Sequence, residues 1–134
     1  MIGIVIVAHG GLAKEYLAAV EHVVGKQPKM RAISIDSDDD RGLKQDEICR
    51  AADDVDTGDG VVIVTDMFGG SPSNLSLRAC GPENRRILYG ANLPLLVKLA
   101  KCRNSNVDDA TEKARIAGRK YIDTLDVSAK EQSS

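Results

Sequence analysis

Apolar and polar positions alternate along the chain in blocks, and these blocks predict strands and helices in turn. Residues 2–8 and 61–64 are uninterrupted apolar runs that are rich in Val and Ile. Such runs are typical of strands that are covered on both faces in a parallel sheet. Residues 31–35 and 86–90 have a shorter apolar pattern of the same kind, and we predict that they form two further strands.

Between the predicted strands, apolar residues recur at helical spacing. Residues 12–24 show this spacing clearly, and Gly25 is placed to end the helix. The other predicted helices run over 43–51, from Ser71 through Ala79, from Asn92 through Ala100, and over 107–125, the last with a short strand around 122–127 at its end.

Strands that alternate with helices predict an α/β fold, with an open, mainly parallel sheet, helices on both faces and flavodoxin-like layering. We expect one domain over residues 1–127 and a disordered tail over 128–134. Ligands of such sheets bind at the carboxyl ends of the strands. The residues expected at this edge are His9, Asp36, Asp66, Ala91 and Asn92.

The composition excludes several classes of function. A chain of 134 residues with 43% hydrophobic and 28% charged residues has the profile of a soluble globular domain. A net charge of -2 and an aromatic content of 3% argue against a nucleic-acid binder. The first apolar run is too short to span a membrane, and the three dispersed cysteines lack CxxC spacing. We therefore expect a cytoplasmic protein.

His9 is the first candidate for chemistry, because it lies where an apolar strand meets a glycine turn. Gly10 and Gly11 have no side chains to crowd an incoming group, and their amides begin a helix, where they can point at an anion. A neutral imidazole ring can act as a nucleophile. The alternative is a loop histidine whose ring bonds to a backbone carbonyl.

Asp66 is the second candidate, because it ends the third strand and that strand can lie beside the first. A carboxylate in this place can accept a hydrogen bond from one ring nitrogen of His9 and leave the other nitrogen exposed. A Ser-His-Asp triad uses the same arrangement. The alternative is an aspartate that only forms the turn before the next helix.

The third candidate is the segment 69–73, Gly-Gly-Ser-Pro-Ser, which predicts a binding cradle for an oxyanion or a phosphate. Ser71 is a favourable N-cap and Pro72 a favourable first helical residue. Gly69 and Gly70 let the backbone approach a ligand, and the amides and the Ser71 hydroxyl are donors. The alternative is a capped helix without a ligand.

Two charged segments are interpreted as solvent-exposed, and no metal or cofactor is predicted. The acidic loop 36–40 has partial EF-hand spacing, but Arg41 stands where that loop requires Gly. We interpret its acids as favouring the N-terminus of the next helix. Arg85 and Arg86 are interpreted as a solvated pair.

Three segments taken together resemble the IIA domains of the mannose family of bacterial phosphotransferase systems: residues 4–10, 64–74 and 90–96. The likeness extends over roughly residues 1–125, and its middle segment is the most specific. The resemblance implies that His9 is the phosphorylated histidine, that Asp66 orients it and that Ser71 lies beside the phosphoryl group. Phe68 stands where the family pattern has Trp, which keeps an aromatic wall.

The resemblance also implies a phosphotransferase activity and a set of partners. The histidine phosphocarrier HPr would be the donor, and a separate IIB-type protein would be the acceptor, in sugar uptake or its regulation. Family members are homodimers that exchange a C-terminal strand. The resemblance implies no binding of nucleic acid, and contact with a membrane only through a permease complex.

Three alternatives remain open at this point. The chain can be the phosphotransfer subunit of a dihydroxyacetone kinase, which has a similar N-terminal domain. It can be a regulatory binding protein whose output depends on the phosphorylation of His9. It can also be a small-ligand module on a flavodoxin-like fold, in which His9 only contacts the ligand and no stable phosphoprotein forms.

Overall fold

The protein is described here by a computed structural model that covers residues 1–67, 71–82 and 84–128. Within these residues, strands and helices alternate along the chain. The elements are β1 (Gly3–His9), α1 (Leu12–Val24), β2 (Met30–Ile35), α2 (Arg41–Val55), β3 (Val61–Thr65), α3 (Ser71–Ser76), a 3-10 helix (Leu77–Cys80), β4 (Arg85–Tyr89), α4 (Leu93–Lys101) and α5 (Val107–Lys120).

The four strands form one parallel sheet in the order β2-β1-β3-β4. The strand β1 therefore lies in the interior of the sheet, between β2 and β3. Val7 pairs with Thr65, the last residue of β3, while Ala8 and His9 continue β1 beside β2, so His9 lies next to the chain that leaves β3. The order of the strands thus brings the carboxyl ends of β1 and β3 together, as the apolar runs predicted.

Helices cover both faces of the sheet, which explains why β1 is apolar at successive positions. Ile4 and Ile6 pack into a core shared with α1, α4 and α5. Val5 and Val7 point to the opposite face, where they pack against α2 and α3. Because successive side chains of a strand alternate between faces, a strand covered on both sides needs an unbroken apolar run. The predicted α/β fold is confirmed.

The prediction for the C-terminal part of the last helix is wrong. The helix α5 ends at Lys120 rather than at Leu125, and residues 122–126 have no regular secondary structure, so the predicted strand around 122–127 is not formed within this chain. Asp123 accepts a hydrogen bond from the Thr124 amide at 2.7 Å. Such local side-chain bonds to the backbone compete with a helix. Residues 129–134 of the predicted tail lie outside the described residues.

The interpretation of Arg85 as a solvated residue is also wrong. Arg85 is only 8% exposed, and its Nη2 donates to Asp53 Oδ1 at 2.8 Å and to Asp56 Oδ2 at 3.1 Å. These carboxylates come from the end of α2, so Arg85 ties the start of β4 to that helix. Arg86 agrees with the interpretation better, because its side chain is 43% exposed and pairs with Asp108 at the surface.

A second buried arginine, Arg103, lies at the same end of the sheet. It is 4% exposed, and it donates to the carbonyl oxygens of Ile2 and Lys29, both at 2.8 Å, and to Gln27 Oε1 at 3.2 Å. Within residues 1–67, 71–82 and 84–128 no carboxylate pairs with it, and burial lowers the pKa of its guanidinium. Its partners are therefore uncharged acceptors that begin β1 and precede β2.

None of the helices described has both the length and the apolar character that crossing a membrane requires.

Candidate functional site

His9 and Asp66 are in direct contact at the carboxyl ends of β1 and β3. His9 Nδ1 lies 2.9 Å from Asp66 Oδ2, and the backbone N–H of His9 donates to the same oxygen at 3.1 Å. The two residues are 57 positions apart in the chain. The pairing of β1 with β3 alone brings them together, so the sheet topology builds this part of the site.

The contact leaves one ring nitrogen of His9 available. When Nδ1–H donates to Asp66, the neutral ring carries its lone pair on Nε2, and Nε2 is then the nucleophilic atom. The side chain of His9 is 50% exposed, whereas that of Asp66 is 10% exposed. A buried carboxylate therefore holds a half-exposed ring that a second molecule can reach.

The charge of Asp66 is stabilised by His9. Burial alone raises the pKa of Asp66, but the hydrogen bonds from the ring and the backbone of His9 outweigh it, so the pKa lies below the ordinary value of 3.8. The carboxylate is therefore ionised at neutral pH, where it can balance the positive charge that develops on a ring attacked at Nε2. Its second oxygen, Oδ1, is buried and has no hydrogen-bond partner among the described residues.

The glycine turn after His9 contributes open space. Gly10 has a φ of +56°, and a Cβ built on Gly10 or Gly11 would meet nothing within 4 Å. The Gly10 amide, however, donates to the carbonyl of Ile35 at 3.0 Å. The expectation that this amide points at an anion is therefore wrong, because the amide extends the pairing of β1 with β2. The turn gives access to the ring of His9 rather than a donor from Gly10.

The third candidate segment is only partly described. Ser71 is the first residue of α3 and is half-buried, and Pro72 follows it, so the helix begins one residue earlier than the predicted N-cap at Ser71 implies. Gly69 and Gly70, which the sequence places in the anion cradle, and Phe68, which it places as an aromatic wall, lie outside the described residues. Because α3 contacts β1 and β3, Ser71 starts on the side of the sheet edge where these strands end.

Two of the other residues expected at this edge have structural roles. The amide of Asp36 donates to Asp39 Oδ2 at 2.7 Å within the acidic loop. At the end of that loop, Asp40 accepts from the amide of Leu43 at 3.0 Å, so it caps α2 as the sequence indicated. Asn92 caps α4, and its Nδ2 also donates to the carbonyl of Gly118 in α5 at 2.9 Å.

Tyr16 is a neighbour of the site that the sequence reasoning did not single out. Tyr16 lies within residues 12–24, which were predicted to form a helix, but its partner was not predicted. The Tyr16 hydroxyl donates to the carbonyl of Ala91 at 3.1 Å, 75 positions along the chain. Burial raises the pKa of Tyr16, and the negative charge of Asp66 raises it further. The only sequence signal was a hydroxyl-bearing ring among aliphatic residues, which is too weak to identify a contact.

Two large apolar side chains close in sequence to His9 and Asp66 are exposed. Met67, which follows Asp66, is 59% exposed, and Leu12, at the start of α1, is 39% exposed. Exposed apolar side chains next to a reactive group are typical of a surface that another protein covers.

The family model described as "PTS system fructose IIA component" (EIIA-man) matches residues 3–115. The chain is also similar to two curated proteins. It is 28% identical over 127 residues to the PTS system mannose-specific EIIAB component of Escherichia coli (strain K12), which covers 92% of this chain and 39% of that protein. It is 28% identical over 103 residues to the PTS system sorbose-specific EIIA component of Lacticaseibacillus casei, covering 76% and 74% of the two chains.

The fold is shared with solved structures of the same kind. The crystal structure of phosphotransferase system component EIIA from Streptococcus agalactiae superimposes with a TM-score of 0.82 and 25% identity, over 96% of this chain and 99% of that one. The mannose/sorbose specific IIA subunit from Enterococcus faecalis superimposes with a TM-score of 0.83 and 23% identity, over 93% and 95%. This chain spans well under half of the EIIAB relative but most of the single IIA components.

Proposed function

This chain belongs to the EIIA-man family of phosphotransferase system IIA components, and on that premise we propose that His9 is its phosphoryl carrier. Membership of the family gives the chain a phosphotransfer role in sugar uptake. Within that role, His9 accepts a phosphoryl group from the phosphocarrier HPr and passes it to a separate IIB-type protein. We propose that this transfer takes place in the cytoplasm and that residues 1–127 form the functional domain.

The observation that carries the proposal is the contact between a half-exposed histidine ring and a buried, ionised carboxylate. Nε2 of the neutral His9 ring attacks the phosphorus of a phosphohistidine on the donor. The new bond joins phosphorus to Nε2, the old phosphorus–nitrogen bond breaks, and its electron pair stays on the donor ring. The His9 ring becomes cationic while Nδ1–H still donates to Asp66, which stabilises that charge.

The rest of the site positions the transferring group. We propose that the Ser71 hydroxyl and the amides of residues 69–71 donate to the phosphoryl oxygens, since Ser71 begins α3 and residues 69 and 70 precede it in the sequence. Gly10 and Gly11 leave the space through which the donor reaches His9. The reaction needs no bound metal in this scheme, because positioning and electrostatic stabilisation supply the catalysis.

We propose further that two copies form a dimer through residues 122–127. Those residues read Ile-Asp-Thr-Leu-Asp-Val, and their apolar members are 66–73% exposed. Beside the edge of β4 lies a groove of about 500 Å³, lined among others by Arg86, Arg115 and Arg119. The Ile, Thr and Val of this segment suit a strand that is added to this edge, and its two acids are opposite in charge to the arginines of the groove.

The dimer is tested by sedimentation velocity of the full chain and of a chain that ends at Tyr121. We expect the full chain to sediment as a dimer and the shortened chain as a folded monomer. A full chain that remains monomeric at micromolar concentrations would contradict this part of the proposal without affecting the role of His9.

The phosphoryl carrier is tested by intact-protein mass spectrometry after incubation with phosphoenolpyruvate, enzyme I and HPr. We expect wild type to gain one acid-labile phosphoryl group and His9→Ala to gain none. His22→Ala is the matched control, because His22 is the other of the chain's two histidines and lies exposed on α1, so it should gain the group as wild type does.

Asp66→Asn tests the role of the carboxylate in the same assay. An amide can turn its NH₂ toward the ring and stabilise the wrong tautomer, so we expect transfer to His9 to slow about a hundredfold.

If HPr becomes phosphorylated and wild type gains no group, the carrier role is wrong for this donor. If His9→Ala gains the group as wild type does, a residue other than His9 carries it.

A further inference from the structure

The turn formed by residues 90–92 joins three elements next to the candidate site. It follows β4, it precedes α4, and Asn92 within it donates to the carbonyl of Gly118 in α5. Ala91, at its centre, packs against the core shared with α1. The turn is thus a point at which the sheet and the helices of one face meet, directly beside the end of β3.

Ala91 is held by hydrogen bonds on both of its backbone groups. Its N–H donates to the carbonyl of Thr65 at 3.0 Å, which continues the pairing of β4 with β3 beyond Tyr89. Its carbonyl accepts from the Tyr16 hydroxyl at 3.1 Å. Tyr16 therefore connects α1 to the last residue of β3 through the carbonyl and the N–H of a single residue, Ala91.

The residue after Thr65 is Asp66, whose carboxylate has little else to fix its orientation. Oδ2 is held by the ring and the backbone of His9, whereas Oδ1 is buried without a hydrogen-bond partner among the described residues. Since the described hydrogen bonds to this carboxylate come from His9, which it must orient, and from the amide of Asp66 itself, its position depends on the backbone at the end of β3. That backbone is in turn held by Ala91.

Electrostatics agrees with this placement of Tyr16. The negative charge of Asp66 is one of the causes that raise the pKa of Tyr16, second to burial, so the hydroxyl and the carboxylate lie close enough to interact. The hydroxyl remains a neutral donor at physiological pH and can hold the carbonyl of Ala91 continuously. A phenylalanine at position 16 would keep the packing of the ring and remove only this donor.

We propose that Tyr16 is a positioning residue for phosphoryl transfer, because its hydroxyl holds the 90–92 turn on the end of β3 and so keeps the Asp66 carboxylate on Nδ1 of His9. The proposal rests on the proposed function of His9. It assigns Tyr16 no contact with the phosphoryl group. Its effect reaches the reaction through Ala91, Thr65 and Asp66.

The test compares Tyr16→Phe with wild type and with Tyr121→Phe. The control makes the same chemical change at a tyrosine that is 67% exposed on the end of α5. Two quantities are measured: the ring nitrogen chemical shifts of His9, which report the tautomer without any phosphorylation, and the single-turnover rate of transfer from phosphorylated HPr. Thermal unfolding of each variant checks that the fold is kept.

For Tyr16→Phe we expect the ring shifts to move from the Nδ1–H tautomer toward a mixture of both tautomers, and the transfer rate to fall about tenfold. Tyr121→Phe should match wild type in both. Unchanged ring shifts in folded Tyr16→Phe, whatever the rate, would overturn the positioning role. If wild type accepts no phosphoryl group while the ring shifts still respond to Tyr16→Phe, the proposed function fails and the positioning of the ring stands.

Discussion

The two ends of the sheet use the same residue type for opposite purposes. At the amino end, a Cβ on Gly3 would overlap the backbone and side chain of Val55, and a Cβ on Gly60 would overlap Val107 and the backbone of Asn84. At the carboxyl end, a Cβ on Gly10 or Gly11 would meet nothing within 4 Å. Glycine permits close packing at one end and leaves open space beside His9 at the other.

The polar groups of the two ends differ in their exposure. The guanidinium of Arg103 at the amino end is buried and donates to three acceptors. At the carboxyl end, Asp66 keeps one buried oxygen without a partner among the described residues, and the ring of His9 is half-exposed. Among the described residues, the buried side-chain atoms without a partner are Asp66 Oδ1 at the carboxyl end and Arg85 Nε at the amino end, so the two ends differ in open space and in the exposure of His9 rather than in the completeness of hydrogen bonding.

The largest effect that we expect is that of Gly60→Ala at the amino end of the sheet. The φ of +97° strains any side chain, and the added methyl group must displace Val107 and the backbone of Asn84. We expect a loss of about 4 kcal/mol in the free energy of unfolding, measured by urea denaturation. Gly58→Ala is the matched control, with a φ of +102° and open space, and should lose only about 1 kcal/mol. Equal losses would show that packing at Gly60 is unimportant.

Arg103→Met tests the hydrogen bonding at the same end. The variant keeps an aliphatic chain but removes the donor of the Ile2 carbonyl and one of the two donors of the Lys29 carbonyl, which keeps the Ile4 amide, so we expect a loss of about 2 kcal/mol in unfolding free energy. Arg78→Met, at a side chain that is 66% exposed, should change it by less than about 0.5 kcal/mol. Arg103 has no structural role of this kind if both variants unfold at the same urea concentration.

At the carboxyl end, we expect Gly11→Ala to lower the transfer rate while leaving stability intact. The φ of Gly11 is -83°, which alanine adopts without strain, so stability should stay the same or rise by about 0.5 kcal/mol. The methyl group enters the space beside His9, and we expect transfer from phosphorylated HPr to slow about fivefold. Thermal unfolding and single-turnover kinetics on the same sample separate the two effects. A stability loss with unchanged transfer would contradict the division between the ends.

The smallest effect that we expect is the contribution of Asp56, at the amino end of the sheet, to the pH dependence of stability. The pKa of Asp56 is lowered below 3.8 chiefly by the amide of Gly58, with burial opposing and Arg85 adding to the effect. A carboxyl whose pKa is lower in the folded state stabilises the protein above its unfolded value, and the stabilisation disappears as pH falls through the folded value. Between about pH 4 and pH 2, wild type should lose about 1 kcal/mol more unfolding free energy than Asp56→Asn. Parallel pH profiles would contradict this.

The sequence was informative wherever a pattern is local. The apolar runs of β1 and β3 predicted buried parallel strands, and their ends predicted where His9 and Asp66 would lie. The contact between these two residues could be expected because the carboxyl ends of parallel strands share one edge of the sheet.

Features that depend on distant partners could not be read from the sequence. The Tyr16 hydroxyl bonds to a carbonyl 75 positions away, and Arg85 meets carboxylates about thirty positions earlier, so their neighbours in sequence give no sign of either bond. The end of α5 was missed for a related reason, since the helical pattern continues in the sequence beyond Lys120 while the acids that follow it favour local turns.

The separation of His9 and Asp66 also has a consequence for the order in which the protein folds. The contact requires β1 to pair with β3, although β2 and α2 lie between them in the chain, with β2 on the other side of β1 and α2 on one face of the sheet. Non-local parallel pairing is slow compared with helix formation. On refolding, helical circular dichroism should therefore recover before the ability to accept a phosphoryl group. During synthesis, a nascent chain cannot complete this contact until the segment through Asp66 has left the ribosome.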